Sequence, residues 1–104
     1  MPLEANEVTT IDCAGAEKAL AVTDLKSNVL FVDPNGASVD LLLPPEADCK
    51  GVILTIFNTA DAAEVLTVKE DGDSTTHITL AQNESGVVAC NGTAWYGGGV
   101  GTTT

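Results

Sequence analysis

The chain has 104 residues, of which 44% are hydrophobic and only 18% charged; 15 Asp and Glu stand against 4 Lys, with no Arg, for a net charge of -11. That length holds one domain. The charge excludes nucleic acid as a partner, because neutralising phosphate takes clustered Lys and Arg, and it opposes binding to anionic membranes. No apolar run approaches the roughly 20 residues of a membrane-spanning helix.

In chain order, residues 1–7 read as an acidic N-terminal arm without the apolar core of a signal peptide. A mean hydropathy of +0.19 is too high for a disordered acidic chain, so the rest is expected to fold. Short runs rich in Val, Ile, Leu and Thr predict strands over residues 8–12, 28–33, 39–43, 52–58, 64–70, 76–81, 86–90 and 93–97. Turn signals separate them every eight to twelve residues or so, among them Asp33-Pro34-Asn35-Gly36, Pro44-Pro45, Asp71-Gly72-Asp73 and Asn91-Gly92. Residues 14–25 carry good helix formers (Ala16, Glu17, Lys18, Ala19, Leu20), which fit a turn or two of helix. A strand over 19–23 is the competing reading. Alternation puts Leu66 with Val68, and Ile78 with Leu80, on buried faces. Residues 51–57 are apolar on both faces and predict a central or partner-covered strand. Residues 98–104 are so rich in Gly and Thr that they read as a flexible tail. There is no internal repeat at a fixed period.

No catalytic or metal-binding pattern stands out in the sequence. Cys13, Cys49 and Cys90 lie far apart, without a CxxC pair or a nearby His, so no zinc site is expected. They read as reduced, buried small side chains, with one disulfide plus a free thiol as the alternative. The single histidine, His77, reads as a solvent-facing or interface side chain, since no nucleophile accompanies it. Residues 70–75 carry three acids but lack the ligand spacing of a calcium loop and read as a hairpin turn. Asn83-Glu84-Ser85 and Asn91-Gly92-Thr93 match the glycosylation pattern by chance. Trp95 and Tyr96 fall on opposite faces of a strand, so at most one of them can stack on a ligand. No cofactor, metal ligand or catalytic residue is expected.

From Leu41 onward the pattern is more specific. An LPPxAxxxG run (Leu43-Pro44-Pro45-Glu46-Ala47-Asp48-Cys49-Lys50-Gly51) leads into the strand Ile53-Leu54-Thr55-Ile56-Phe57-Asn58. Paired strands follow at Leu66-Thr67-Val68 and Ile78-Thr79-Leu80-Ala81, and the closing hairpin is Asn91-Gly92-Thr93-Ala94-Trp95. Over residues 28–97 this resembles small structural proteins of tailed bacteriophages, most of all capsid decoration (cement) proteins. Asn91 stands where many relatives carry Asp, a change that keeps the turn.

The resemblance implies an all-β, jelly-roll-like sandwich or small barrel of about eight strands that acts as a homotrimer. It implies a non-enzymatic role on the outer surface of the virion, with the major capsid protein as partner, where the chain would stabilise the shell against internal pressure. A tail or fibre module that binds a host receptor or glycan is the alternative. Apolar excess nominates Pro2, Leu3 and Val8 of the arm, Ile53 and Phe57 of the central strand, and Trp95 and Tyr96 of the last hairpin as capsid or subunit contacts.

Overall fold

A computed structural model describes residues 8–72 and 75–102. Apart from two short 3-10 turns, the regular structure of the described residues is all strand: β1 (Thr9–Asp12), β2 (Lys18–Ala19), β3 (Val29–Asp33), β4 (Val39–Leu42), β5 (Ile53–Asn58), β6 (Leu66–Lys69), β7 (Thr76–Leu80), β8 (Glu84–Cys90) and β9 (Trp95–Thr102). The eight expected strands are all present. Residues 14–25 hold the two-residue β2 and a single 3-10 turn, Val22–Asp24.

The strands form two sheets, β1-β3-β5-β8-β9 and β2-β4-β6-β7. Alternation explains the core between them. In β3, Leu30 and Val32 are buried while Val29 and Phe31 are half-buried on the far side. Leu54 and Ile56 of β5, Val88 and Cys90 of β8 and Trp95 of β9 point inward. They meet Leu41, Leu66, Val68, Ile78 and Leu80 from the smaller sheet in one cluster. Trp95 is 2% exposed, and its Nε1 donates to the Pro44 carbonyl at 2.9 Å, so the one polar atom of the indole is satisfied.

The connectivity departs from a jelly roll, which is built of antiparallel strands. Here β1, β3 and β5 run parallel to one another, as do β2, β4 and β6. The chain passes from one sheet to the other and back, one strand at a time, and so winds as a parallel coil of three turns. β7, β8 and β9 then finish the two sheets with antiparallel pairs. The sheets face each other without closing, so the barrel expectation is replaced by an open two-sheet sandwich.

A recurring corner turns each strand of the coil out of the larger sheet. The Asp12 carboxylate accepts the Ala14 N–H at 2.8 Å, and the Asp33 carboxylate accepts the Asn35 N–H at 2.9 Å. The Asn58 amide oxygen accepts the Ala60 N–H at 3.0 Å. Behind the first two lie the left-handed pairs Ala14-Gly15 and Asn35-Gly36, where glycine in second place avoids the Cβ penalty. Asp12-Cys13-Ala14-Gly15 and Asp33-Pro34-Asn35-Gly36 are thus one motif used twice. Buried Asn58 also donates to the carbonyls of Glu64 and Leu80, which ties the third turn of the coil to β7.

The expected tail is corrected as far as Thr102, because residues 97–102 continue β9 against β8. Glycine is what allows it. A Cβ on Gly97 would stand 3.0 Å from the His77 carbonyl oxygen and 3.0 Å from Ile78 Cγ2. The last strand therefore seats against β7 only with a bare Cα there. Of the two readings of His77, the solvent-facing one is corrected: its side chain is 10% exposed and stands 3.9 Å from Glu70.

Candidate interaction surface

The outer faces of the two sheets carry different chemistry. On the larger sheet, register aligns three rows of outward side chains: Ile53–Ala89–Tyr96, Val29–Thr55–Val87–Gly98 and Thr10–Phe31–Phe57–Ser85–Gly101. No residue in these rows is charged; the next outward pair, Asp12–Asp33, sets two carboxylates at the end of the face where β1 and β3 finish. Ile53 is 56% exposed and Tyr96 63%. Phe31 and Phe57 stack, with ring centroids 5.3 Å apart and planes 17° from parallel, as neighbours across a parallel ladder can. Soluble monomers seldom leave so continuous an apolar face open, and such patches commonly mark interaction sites.

Two concavities flank the face. A cleft of about 220 Å³ lies against the stacked rings and is lined by Phe31, Phe57, Asn58, Thr59 and Asn83. At the strand-start end, an apolar hollow of about 140 Å³ is lined by Val22, Leu25, Ser27, Asn28, Val52 and Leu54.

The nominated contact residues separate cleanly. Ile53, Phe57 and Tyr96 come together on the outer face of the larger sheet, and exposed Val8 sits just before β1 at its margin. Trp95 does not join them, because its side chain is inside the core; as a contact residue it is corrected. Pro2 and Leu3 lie outside the described residues. Val29, Phe31 and Val87 belong to the face but were not nominated. Their signal was present, since Val29-Leu30-Phe31-Val32 is apolar on both faces, as residues 51–57 are.

Among the described residues, four titratable groups depart from their ordinary values. The Asn35 amide, donating at 3.0 Å and 3.2 Å, and the Ala14 N–H hold the Asp12 carboxyl below the usual range. Burial, then the neighbouring Asp12 charge, pushes the Cys13 thiol up to about 11. Burial, then proximity to Cys90, raises Cys49. Asp71 is raised by burial and by a hydrogen bond shared with the Glu46 carboxyl. All three cysteines are free and buried. Among the described residues no group of three or more His, Cys, Asp or Glu is placed to hold a metal ion, and no helix is long and apolar enough to cross a membrane.

No family model, curated protein or solved structure matches the chain.

Proposed function

We propose that the chain is a non-enzymatic phage structural protein, a capsid decoration protein that binds the outer surface of the shell. The observation that carries this reading is the apolar face, uncharged except for the Asp12–Asp33 pair at one end, in a chain of net charge -11. Such a face suits a protein surface, where apolar area and shape supply the affinity. The pattern of residues 28–97 supplies the virion context. The major capsid protein is the partner, and copies gather as homotrimers at local symmetry axes of the shell. Each copy adds a modest contact, and repetition over the shell stabilises the assembled state by mass action.

The test is the copy number in purified particles, by quantitative mass spectrometry against the major capsid protein. A ratio near one to one supports decoration. Co-sedimentation with stripped shells should then fail for Ile53→Asp. A ratio lower by tenfold or more, or shell binding unchanged by Ile53→Asp, overturns it.

The cleft beside Phe31 and Phe57 favours a second reading, a tail or fibre module that binds a neutral glycan. Two aromatic rings with a threonine and two asparagines beside them are suited to stacking a sugar ring. Saturation of the Phe31 and Phe57 ring protons by a neutral oligosaccharide, lost in Phe31→Ala, would favour it over decoration.

A further inference from the structure

We infer that Cys49 and Cys90 are a redox pair, open in a reducing medium and closed in an oxidising one into a disulfide that ties the crossing between β4 and β5 to the end of β8. The pair lies inside the molecule, so its closure does not depend on what the outer face binds.

The backbone brings the two residues together. Cys90 ends β8 opposite a bulge: the Gly51 N–H donates to the Cys90 carbonyl and the Cys90 N–H to the Val52 carbonyl, both at 2.9 Å. The Val52 N–H in turn donates to the Cys49 carbonyl at 2.9 Å, with Gly51 at φ +81° inside that turn. The chain therefore doubles back and sets Cys49 beside the strand pair. One oxygen then joins both residues. The Glu46 carbonyl accepts the Cys49 N–H at 3.1 Å and the Cys90 thiol at 3.5 Å. Burial raises the Cys49 thiol, and among the charges it feels Cys90 outweighs Asp48, its chain neighbour, and Glu46. A bridge needs Cα atoms within about 7 Å, which is the span of one tight turn or one strand pair. Cys13 stands apart, just past the end of β1 at the opposite end of the larger sheet.

Cys90 is the first to react. It is 5% exposed against 0% for Cys49, and its Sγ accepts the Gly92 N–H at 3.4 Å, a contact that favours the thiolate. With oxidised glutathione as the oxidant, the Cys90 thiolate attacks one glutathione sulfur and expels the other as a thiolate. The Cys49 thiolate then attacks the Cys90 sulfur and expels the second glutathione. Two protein thiols lose two electrons and two protons, and one glutathione disulfide becomes two thiols. With Cys49 raised, the second step is slow near neutral pH and speeds up as pH rises.

The test incubates the native protein with oxidised glutathione at about pH 8, then unfolds it, alkylates it and cleaves after the lysines, which leaves the three cysteines in separate peptides. Mass spectrometry should find the Cys49 and Cys90 peptides joined within a monomer and Cys13 alkylated. The bridge closes a loop of about 40 residues, so the oxidised chain should melt on the order of 10 °C higher, and dithiothreitol should reverse the gain. Cys13→Ser should keep both the cross-link and the gain, and Cys90→Ser should lose both. Since burial alone can hide a thiol from glutathione, the oxidation is repeated in urea just below the unfolding transition. Three alkylated thiols under both conditions would overturn the inference. So would a bridge to Cys13, glutathione adducts or intermolecular dimers in place of the Cys49–Cys90 bridge, or a bridge that lowers the melting temperature.

Discussion

The two sheets share one core and differ in the faces they turn outward. The smaller sheet presents Asp40, Thr67, Lys69 and Thr79, and Lys69 Nζ meets Asp40 Oδ2 at 3.2 Å. It is an ordinary solvated surface, and a half-exposed ion pair of that kind adds little to stability. The larger sheet presents Val29, Phe31, Ile53, Phe57, Val87 and Tyr96, with Asp12 and Asp33 only at one end. Inward residues of both sheets are chosen by the core; only the outward residues are free to report function. An apolar side chain that the core does not need is the informative one.

The contrast is sharpest within β5, where Ile56 points in and Phe57 points out. Ile56→Ala should lower unfolding free energy by about 2–5 kcal/mol, because the fully buried site loses its side chain and keeps a cavity. Phe57→Ala should cost less than Ile56→Ala although it removes the larger group, since part of the ring is already wet and its stacking on Phe31 is worth about 0.5–1.5 kcal/mol. Urea denaturation of both variants decides. Equal losses would mean that Phe57 serves the fold, and the outer face would lose its standing as a surgically separable surface.

The next effect in size falls at the seam between the sheets. Gly97→Ala puts a Cβ against the His77 carbonyl and Ile78. It should cost about 1–3 kcal/mol by the overpacking mechanism, while Gly98→Ala, where a Cβ meets nothing within 4 Å, should cost well under that. If the two alanines prove equivalent in thermal melts, β9 does not seat on β7 as described.

The elements were legible in the sequence, because β-branched runs between turn residues mark strands whatever their partners. Their pairing was not. Antiparallel hairpins are the usual inference from short strands at even spacing, and parallel turns of a coil leave the same local pattern. The coil has no fixed period: Thr9 pairs with Leu30, but Val29 pairs with Thr55. The usable signal was the corner, Asp12-Cys13-Ala14-Gly15 repeated as Asp33-Pro34-Asn35-Gly36, which marks equivalent positions in successive turns. The tail was misread for a related reason. Glycine weakens a strand on average, yet it is required where another strand comes as close as β7 does. Of the interaction surface, Ile53, Phe57 and Tyr96 could be named, whereas Trp95 could not be assigned a side until β8 fixed its register through Cys90.

The smallest expected effect is also a comparison, between two carboxyls with opposite shifts. Asp12 is lowered in the folded chain by the Asn35 amide and then the Ala14 N–H. Its contribution is therefore present above the ordinary value of 3.8 and is lost as pH falls through the lower, folded value. Asp71 is raised, first by burial and then by Glu46. Its contribution is present below the ordinary value and disappears as pH rises through the higher, folded value, where two neighbouring carboxylates are left to repel. Asp12→Asn should thus lower the melting temperature at pH 6 and have little effect at pH 2. Asp71→Asn should leave the acid-side melt unchanged and raise the melting temperature slightly at pH 6. Both groups are largely solvated, so each shift should be small and should shrink as salt is added. Parallel shifts in the two variants would show that net charge governs the melt. Opposite shifts would show that the local contacts govern it, with the Asn35 corner stabilising the coil and the Glu46 pair straining the end that carries the β6–β7 turn.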